Sequence, residues 1–254
     1  GTLIVESTAV SMTSYLLSEL MKSKIKVIFC DEKRNPSSEL IPYYGCHDTS
    51  SKIRKQIEWT KDNKDHIWTE IVSEKIRQQA LLLKRYGKIE ANMLFDYVEN
   101  IEFGDVTNRE GHAAKVYFNA LFGKKFTRTD DIPINAALNY GYSILLSIFN
   151  REIVAAGYIT QIGLFHDNMF NQFNLASDLM EPFRPLVDDE VIKLKPERFG
   201  KDEKHSILEI LNKEVLIGSK NEVLTNAIKI YCRSVFEALN ERDVSLLRFY
   251  YNEL

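Results

Sequence analysis

The pattern of apolar residues changes near residue 50, and this change restricts the folds open to the chain. Residues 3–5 and 25–29 have the short apolar runs of β-strands, with a helical pattern between them at 8–22. Two strands and a helix bury too little surface for an independent core, so residues 1–50 are predicted to be a remnant of a β-rich N-terminal domain followed by a linker. Residues 51–254 are mainly helical in pattern. The expected fold class is therefore α+β, with a truncated β-rich domain before a mostly α-helical one.

Turn residues and helix-stop residues divide the chain into elements. Helices are predicted at 65–86, 91–98, 107–122 and 133–148. Gly87 and Gly123 follow two of these helices, and Pro133 starts the last. Later in the chain, a hairpin is predicted at 214–224 and an amphipathic helix from residue 225 to the end. Near the start, a turn is predicted at 35–38 and the linker at 42–48.

Composition argues against a membrane protein and against a disulfide-rich one. With 254 residues and 44% hydrophobic content the chain can bury a substantial core, yet no run is long and apolar enough to cross a bilayer. No charged-then-apolar leader opens the sequence. The three cysteines, Cys30, Cys46 and Cys232, are few and widely spaced, which fits neither a disulfide framework nor a CxxC zinc site. We therefore expect a cytoplasmic protein without a membrane partner.

The charged residues are unevenly distributed, although the net charge is only −3. Two runs are mainly basic and could form phosphate-binding faces on a protein that is acidic as a whole. Charge alone favours the simpler interpretation, in which these runs are solvated helix surfaces. The first run contains Arg109, Lys115, Lys124, Lys125 and Arg128, and the second contains Lys75, Arg77, Lys84, Arg85 and Lys88.

Glu110, His166 and Glu181 are the candidate metal ligands. Glu110 begins an alanine-rich helix, His166 ends the run AGYITQIGLFH at 156–166, and Glu181 lies in DLMEPFRP. Two carboxylates and one imidazole form a mixed oxygen and nitrogen ligand set suited to a divalent metal that acts on phosphates. Helical spacing also places Glu110 on the apolar face of its helix, where a carboxylate is costly unless it is paired, hydrogen-bonded or metal-bound.

Each of these residues also has a purely structural interpretation. Thr107 and Glu110 have the spacing of a capping box, in which the glutamate bonds back to the start of its helix. Asp178 and Glu181 have the same spacing, and His166 could be a satisfied core histidine. The residues by themselves leave both interpretations open.

Three motifs resemble the Cas1 family of CRISPR-associated integrases in their order and their separations. They are PINAALNYGY at 133–142, AGYITQIGLFH at 156–166 and DLMEPFRP at 178–185. Residues 28–45 resemble the end of that family's N-terminal β-rich domain, so the resemblance covers nearly the whole chain. Because relatives begin with several more strands, roughly the first half of that domain is expected to be missing. The short chain, and a glutamate at 181 where many relatives have aspartate, are most similar to the type II-A branch.

The resemblance implies that Glu110, His166 and Glu181 bind Mg²⁺ or Mn²⁺ in the helical domain, 51–254, which would be the catalytic domain. It makes Asp178 an auxiliary acid behind the ligands, with a helix cap as an equal alternative. Arg184 is expected to contact phosphate or to pair with a carboxylate. The full set of residues expected to contact DNA is Arg109, Lys115, Lys124, Lys125 and Arg184.

The function implied by the resemblance is that of a metal-dependent integrase and endonuclease of CRISPR adaptation. In this reaction the 3′-hydroxyl of a prespacer attacks a phosphodiester of the CRISPR repeat, and water in its place would cut DNA. The implied partners are double-stranded DNA, a second copy of the chain, a Cas2 dimer within a heterohexamer, and other type II adaptation proteins. The alternative is a non-catalytic DNA-binding scaffold subunit of an adaptation complex, which would tolerate loss of Glu110 or Glu181.

Overall fold

The first 40 residues form a small mixed sheet. The computed structural model describes residues 1–42 and 46–251 of the chain. The first elements are β1 (Thr2–Val5), α1 (Ser14–Lys22), β2 (Lys26–Cys30) and β3 (Pro36–Leu40). β1 pairs in parallel with β2 across the α1 connection, and β3 pairs antiparallel with β2. The two predicted strands are therefore confirmed, and so is the helix between them, although it begins at Ser14 and not near residue 8.

The turn predicted at 35–38 is wrong, because the chain reverses earlier. The carboxylate of Asp31 accepts the backbone N–H groups of Lys33 at 2.9 Å and Asn35 at 2.8 Å, which closes the turn before residue 36. Pro36 is then the first residue of the edge strand β3. A proline is tolerated at that position because a missing N–H costs the sheet little at the start of an edge strand.

Helices make up most of the rest of the described chain. They are α2 (Thr49–Ile57), α3 (Lys61–Arg85), α4 (Ala91–Glu99), α5 (Arg109–Phe122), α6 (Pro133–Ala155), α7 (Asn174–Leu179), α8 (Arg184–Leu194), α9 (Lys201–Leu208) and α10 (Leu224–Glu241). The four predicted helices are confirmed as α3 to α6, with α3 starting earlier and α6 ending later than expected. Of the linker predicted at 42–48, residues 43–45 lie outside the described residues. None of the helices in the described part combines the length and the apolar character needed to cross a membrane.

α3 is the central element of the helical part. It packs against α4, α5, α8 and α10, and its buried residues lie on nearly all sides. Thr60 caps its start by accepting the backbone N–H of Asn63 at 3.3 Å. Its apolar core residues are Ile67, Trp68, Ile71, Val72, Ile76, Ala80, Leu82 and Leu83. A charged residue on one of the buried sides of this helix has to find its partners inside the protein.

The described chain ends in a second small sheet. The predicted hairpin is confirmed as β4 (Glu214–Ile217) and β5 (Lys220–Val223). α10 ends at Glu241, where Arg242 has a left-handed conformation with φ of 56°. The chain then returns to pair β6 (Tyr250–Tyr251) with β4. The prediction that α10 runs to the end of the chain is therefore wrong, whereas the expected α+β class is confirmed.

Buried polar contacts fix the first sheet to the helical part. Lys26 of β2 pairs with Glu39 of β3, and Ser147 of α6 donates to the same carboxylate at 2.9 Å. From α9, Lys204 donates to the side-chain oxygen of Asn35 at 2.9 Å. These contacts join the sheet to α6 and α9 of the helical part.

Candidate functional site

Glu110 lies in the first turn of α5, and side chains other than its own hold that helix start in place. Asn108 is the capping residue, because its Oδ1 accepts the backbone N–H of Gly111 at 3.3 Å. The buried carboxylate of Asp105 accepts the backbone N–H of Glu110 at 3.1 Å. The capping box considered for Thr107 and Glu110 is therefore not formed, and the Glu110 carboxylate contacts α3 instead.

Glu181 begins the 3-10 turn Glu181–Phe183 between α7 and α8, and it is only 4% exposed. Its Oε1 pairs with the guanidinium of Arg184 at 2.9 Å. Arg184 lies over the ring of Tyr142, 4.9 Å from the ring centre. The capping alternative for Asp178 and Glu181 is wrong, because Asp178 lies inside α7 and Glu181 uses its carboxylate in ion pairs.

Lys75 of α3 joins the two candidate carboxylates. Its Nζ contacts Oε1 of Glu110 and Oε2 of Glu181, and the lysine is 5% exposed. Burial acts to lower the pKa of Lys75, but the charges of Glu181 and Glu110 outweigh burial and raise the pKa above its ordinary value. Burial also acts to raise the pKa of Glu181, yet Arg184 and Lys75 hold it below its ordinary value. At neutral pH the lysine is therefore protonated and Glu181 is ionised.

His166 lies in the loop between α6 and α7, and Asp178 of α7 holds that loop. The buried Asp178 carboxylate accepts the backbone N–H groups of Leu164 at 2.6 Å, Phe165 at 3.1 Å and His166 at 3.2 Å. It also lies 2.5 Å from Nδ1 of His166. This hydrogen bond raises the pKa of His166 above its ordinary value, against the opposing effect of burial. Asp178 thereby orients the imidazole through Nδ1.

Gly163 allows the loop to close on Asp178. A Cβ at this position would lie 2.7 Å from Oδ2 of Asp178 and would overlap the carbonyl oxygen of His166. Phe165, next to the histidine, stacks on buried Trp68 with the ring centres 4.6 Å apart. The loop that carries His166 is thus held by a carboxylate and by an aromatic stack.

The three predicted ligands lie in one region without forming a closed cluster. Lys75 brings Glu110 and Glu181 together, and the charges of both carboxylates act on His166. Within the described ranges, one group of at least three possible metal-ligating atoms has all its members within 4.8 Å of one another, and it belongs to residues 46–48. The two glutamates therefore lie next to each other because both contact the ammonium group of Lys75, and His166 lies near them.

The donor atoms at Glu181 fit a divalent cation. Oε2 of this glutamate is buried and is held by a charge-assisted contact with Nζ of Lys75. Carboxylate oxygens are the donors that Mg²⁺ and Mn²⁺ prefer, and a neutral imidazole is compatible with Mn²⁺. A buried carboxylate that neighbouring cations already keep ionised is thus suited to hold a metal cation.

The residues predicted to contact DNA fall into two groups. Lys115 is exposed on α5, and Lys124 and Lys125 are exposed in the turn that follows it. Arg109 lies over a tyrosine ring, 5.1 Å from its centre, and Arg184 pairs with the candidate ligand described above. The lysines therefore face solvent, and the two arginines are engaged within the protein.

The second basic run does not form one exposed face. Arg77 and Arg85 pair with buried acids, and Lys75 lies between the two carboxylates. The two environments considered for Lys75 from charge alone, a solvated helix surface and a phosphate-binding face, are therefore both wrong. Helical spacing could have identified it, because position 75 follows Ile71 by four residues and Trp68 by seven, on the buried face of the helix.

The sequence matches a known protein family over most of its length. Residues 2–214 match the family described as CRISPR associated protein Cas1. The chain is 38% identical over 193 residues to the CRISPR-associated endonuclease Cas1 of Neisseria meningitidis serogroup C (strain 8013), which covers 76% of this chain and 64% of that relative. It is 32% identical over 208 residues to the CRISPR-associated endonuclease Cas1 1 of Pyrobaculum aerophilum, covering 74% of this chain and 68% of that relative. The chain thus spans about two thirds of the length of these relatives.

Solved structures with the same fold have lower sequence identity. A structure titled "Casposase bound to integration product" has a TM-score of 0.78 at 21% identity, covering 96% of this chain and 79% of that one. A "Cas6-RT-Cas1--Cas2 complex" has a TM-score of 0.74 at 21% identity, covering 100% of this chain and 32% of that one. These two likenesses concern the fold.

Proposed function

This chain belongs to the Cas1 family of CRISPR-associated proteins, and on that premise we propose that it is a metal-dependent DNA integrase and endonuclease. The observation that supports this most directly is the meeting of Glu110 and Glu181 at one buried ammonium group. Beside them lies a histidine that a buried carboxylate orients. Two carboxylates and an imidazole brought together from separate elements suit metal-assisted phosphoryl transfer. In this proposal residues 51–254 are the catalytic domain.

Glu110, His166 and Glu181 are the residues that would hold Mg²⁺ or Mn²⁺. The chemistry supplied by such an ion is polarisation of the scissile phosphate and compensation of negative charge on the attacking and leaving oxygens. Arg184 helps to keep Glu181 ionised, so its oxygens are available as ligands at neutral pH. The contact between Nδ1 of His166 and Asp178 leaves Nε2 as the ligand atom once the imidazole is neutral.

The proposed reaction exchanges one phosphodiester for another. A 3′-hydroxyl of the incoming prespacer forms the new P–O bond and gives up its proton. The existing P–O bond of the CRISPR repeat breaks, and the oxygen of the displaced strand takes up a proton. With water in place of the 3′-hydroxyl, the same exchange cuts DNA. No nucleotide hydrolysis is needed, because one phosphodiester is formed for each one broken.

Basic residues around the site are assigned to the DNA backbone. Lys115 lies on the same helix as Glu110, and Lys124 and Lys125 follow its end. Arg109 and Arg184 flank the two glutamates in sequence and complete the set. Contacts of this kind position a duplex and contribute affinity that depends on salt and little on base sequence.

The partners in this proposal are those of an adaptation complex. We assign prespacer and repeat DNA as the substrates. We further propose that homodimers of this chain hold a Cas2 dimer and act together with other type II adaptation proteins. One structure of similar fold is titled as a complex that includes Cas1 and Cas2. Residues 1–50 are the part we assign to the homodimer contact, since their sheet leaves β1 as an edge strand among the described residues.

Strand transfer with a labelled prespacer, a supercoiled plasmid carrying the array and a Cas2 partner tests the proposal. Glu110→Ala and His166→Ala should abolish transfer in Mg²⁺ or Mn²⁺, since each removes a ligand needed in the chemical step. Binding of labelled DNA should persist in both variants. Glu237→Ala is the matched control, because Glu237 is exposed on α10 and should integrate at the wild-type rate.

The alternative function, a non-catalytic DNA-binding scaffold, predicts a different result in the same assay. A scaffold would retain DNA binding and would show no metal-dependent transfer in the wild type. If Glu110→Ala integrates at the normal rate, the assignment of this glutamate to the metal is wrong. Loss of DNA binding together with transfer in Glu110→Ala would also contradict the assignment, because the residue would then support the fold or the DNA contact.

A further inference from the structure

A lysine ammonium lies where two of the proposed metal ligands meet. Nζ of Lys75 contacts Oε1 of Glu110 and Oε2 of Glu181. Within the described part of the chain, these two carboxylates are its polar partners. The lysine is carried by the middle of the enclosed helix α3 and is 5% exposed. The ammonium group of Lys75 is therefore shielded from water and is stabilised by the two carboxylates that the proposed function assigns to a metal.

The groups in direct contact at this position balance one another without a metal. Glu110 and Glu181 contribute −2 and Lys75 and Arg184 contribute +2, so these four paired groups sum to zero. A divalent cation that joined them would be repelled by the ammonium of Lys75, which contacts the same carboxylate oxygens. Uncompensated charge inside a protein is strongly unfavourable. Metal binding is therefore easiest when one of the resident cations withdraws.

Lys75 is better able to withdraw than Arg184. The guanidinium of Arg184 is fixed by its ion pair with Glu181 at 2.9 Å and by the ring of Tyr142 at 4.9 Å. A guanidinium is a rigid planar fork, whereas a lysine carries its charge at the end of a flexible four-carbon stem. Nζ of Lys75 holds Oε2 of Glu181, whereas Arg184 holds the other oxygen, Oε1. Withdrawal of Lys75 would free one oxygen on each of the two glutamates.

We propose that Lys75 is an internal competitor of the catalytic metal, which holds Glu110 and Glu181 together in the resting protein and leaves them when the metal binds. The inference rests on the proposed function, since it assigns the same carboxylates to the metal. A DNA phosphate entering the site offers the displaced ammonium a new charged partner. Metal and DNA should therefore each favour binding of the other. Lys75 thus disfavours metal binding, and with it DNA cleavage, until substrate is in place.

Manganese titrations by isothermal calorimetry test this competition. We expect Lys75→Met to bind Mn²⁺ at least about tenfold more tightly than the wild type, because the charge-assisted pairs that oppose the metal are gone. Lys75→Arg keeps the charge on a more rigid group, so it should bind Mn²⁺ no more tightly than the wild type. Lys84→Met is the matched control for metal affinity, because Lys84 is exposed on the same helix. Glu110→Gln shows whether Mn²⁺ binds at Glu110, because any Mn²⁺ that still binds to this variant must lie at another site.

The outcomes separate this inference from the proposed function. If Mn²⁺ binds to the wild type and to Glu110→Gln alike, the metal site of the proposed function fails, and competition by Lys75 fails with it. If Glu110→Gln abolishes binding while Lys75→Met binds Mn²⁺ as the wild type does or more weakly, the site is right and the competition is overturned.

A measurement on the wild type covers the case in which Lys75→Met does not fold. Acetylation of lysines, followed by mass spectrometry with and without Mn²⁺, reports whether the ammonium leaves the carboxylates. We expect Mn²⁺ to increase the modification of Lys75 and to leave that of Lys84 unchanged. Unchanged or reduced modification of Lys75 at saturating Mn²⁺ overturns the proposal.

Discussion

Replacement of Asp178 by alanine should destabilise the protein. Its carboxylate accepts four hydrogen bonds, from the backbone N–H groups of Leu164, Phe165 and His166 and from Nδ1 of His166, at 2.5–3.2 Å. Each donor left unpaired in the interior costs about 1–3 kcal/mol. Leu164 is buried, whereas Phe165 and His166 are partly exposed and can turn to water. We therefore expect a loss of about 1–3 kcal/mol, mainly from the N–H of Leu164, which is left buried without an acceptor.

Urea unfolding followed by circular dichroism measures this loss. Asp178→Asn keeps one acceptor oxygen but removes the charge, so it should lose less than Asp178→Ala. Asp167→Ala is the matched control, because Asp167 is exposed in the same loop, and it should change the free energy of unfolding by no more than about 0.5 kcal/mol. A loss below about 1 kcal/mol in Asp178→Ala would show that the loop does not depend on this carboxylate.

The same variant links stability to the site. Because the hydrogen bond to Asp178 is the largest cause of the raised pKa of His166, that pKa should fall toward its ordinary value of 6.5 in Asp178→Asn. Nuclear magnetic resonance of the imidazole protons over a pH series gives the value directly. A pKa of His166 equal in wild type and variant would mean that Asp178 does not orient the ring as the geometry indicates.

Three further outcomes are expected. Charge reversal of both Lys124 and Lys125 should weaken DNA binding and leave the affinity for Mn²⁺ unchanged. Fluorescence anisotropy at several salt concentrations should show that the slope of log affinity against log salt falls by about 2. Gly163→Ala should reduce both strand transfer and thermal stability, because its Cβ would overlap the loop it closes, and wild-type behaviour in both assays would contradict this. Strand transfer should fall as the pH drops through the pKa of His166, which lies above 6.5, since only the neutral ring can bind a metal. The stability of the metal-free protein should depend on pH in the opposite direction, because protonated His166 stabilises the folded state. This stabilisation is complete below the pKa of His166 in the unfolded chain, about 6.5, and is lost as the pH rises through its pKa in the folded protein. Thermal unfolding at several pH values would detect the change.

Much of the fold follows from local sequence signals. Apolar periodicity and glycine or proline at element ends predicted helices α3 to α6 and the hairpin of β4 and β5. These signals succeed because they act within a few residues of one another. The strand β3 escaped them, since Pro36 and two serines are typical of a turn and become a strand only through pairing with β2.

The end of the chain shows the same limit. Arg242 ends α10 in a left-handed conformation without the glycine that usually marks such a position, so the sequence carries no stop signal there. The later strand β6 is only two residues long and exists through its contact with β4. A strand this short cannot be identified from its own residues, because its stabilisation comes from a partner distant in the sequence.

The candidate site, too, could be predicted only in part from its sequence motifs, and the packing of the helices determined the rest. Residue types and order identified Glu110, His166 and Glu181 as a possible set, but the spacing that suggested helix caps was equally good for two of them. Packing decided against the caps, since Asn108 caps α5 and Asp178 lies inside α7. Both glutamates were thereby left free to use their carboxylates elsewhere.

Lys75 shows why a charged residue should be assigned by helical face before it is assigned by charge. Its position in a run of basic residues indicated a surface, whereas its spacing from Trp68 and Ile71 places it on the enclosed face of α3. A buried lysine requires an acid, and two candidate acids were already known from the motifs. The sequence could therefore have paired Lys75 with the proposed metal ligands. The choice of both glutamates, however, depends on how α5 and the turn before α8 pack on α3. If the two glutamates bind a metal as proposed, the buried ammonium between them predicts that the affinity for the metal depends on Lys75 as well as on the carboxylates.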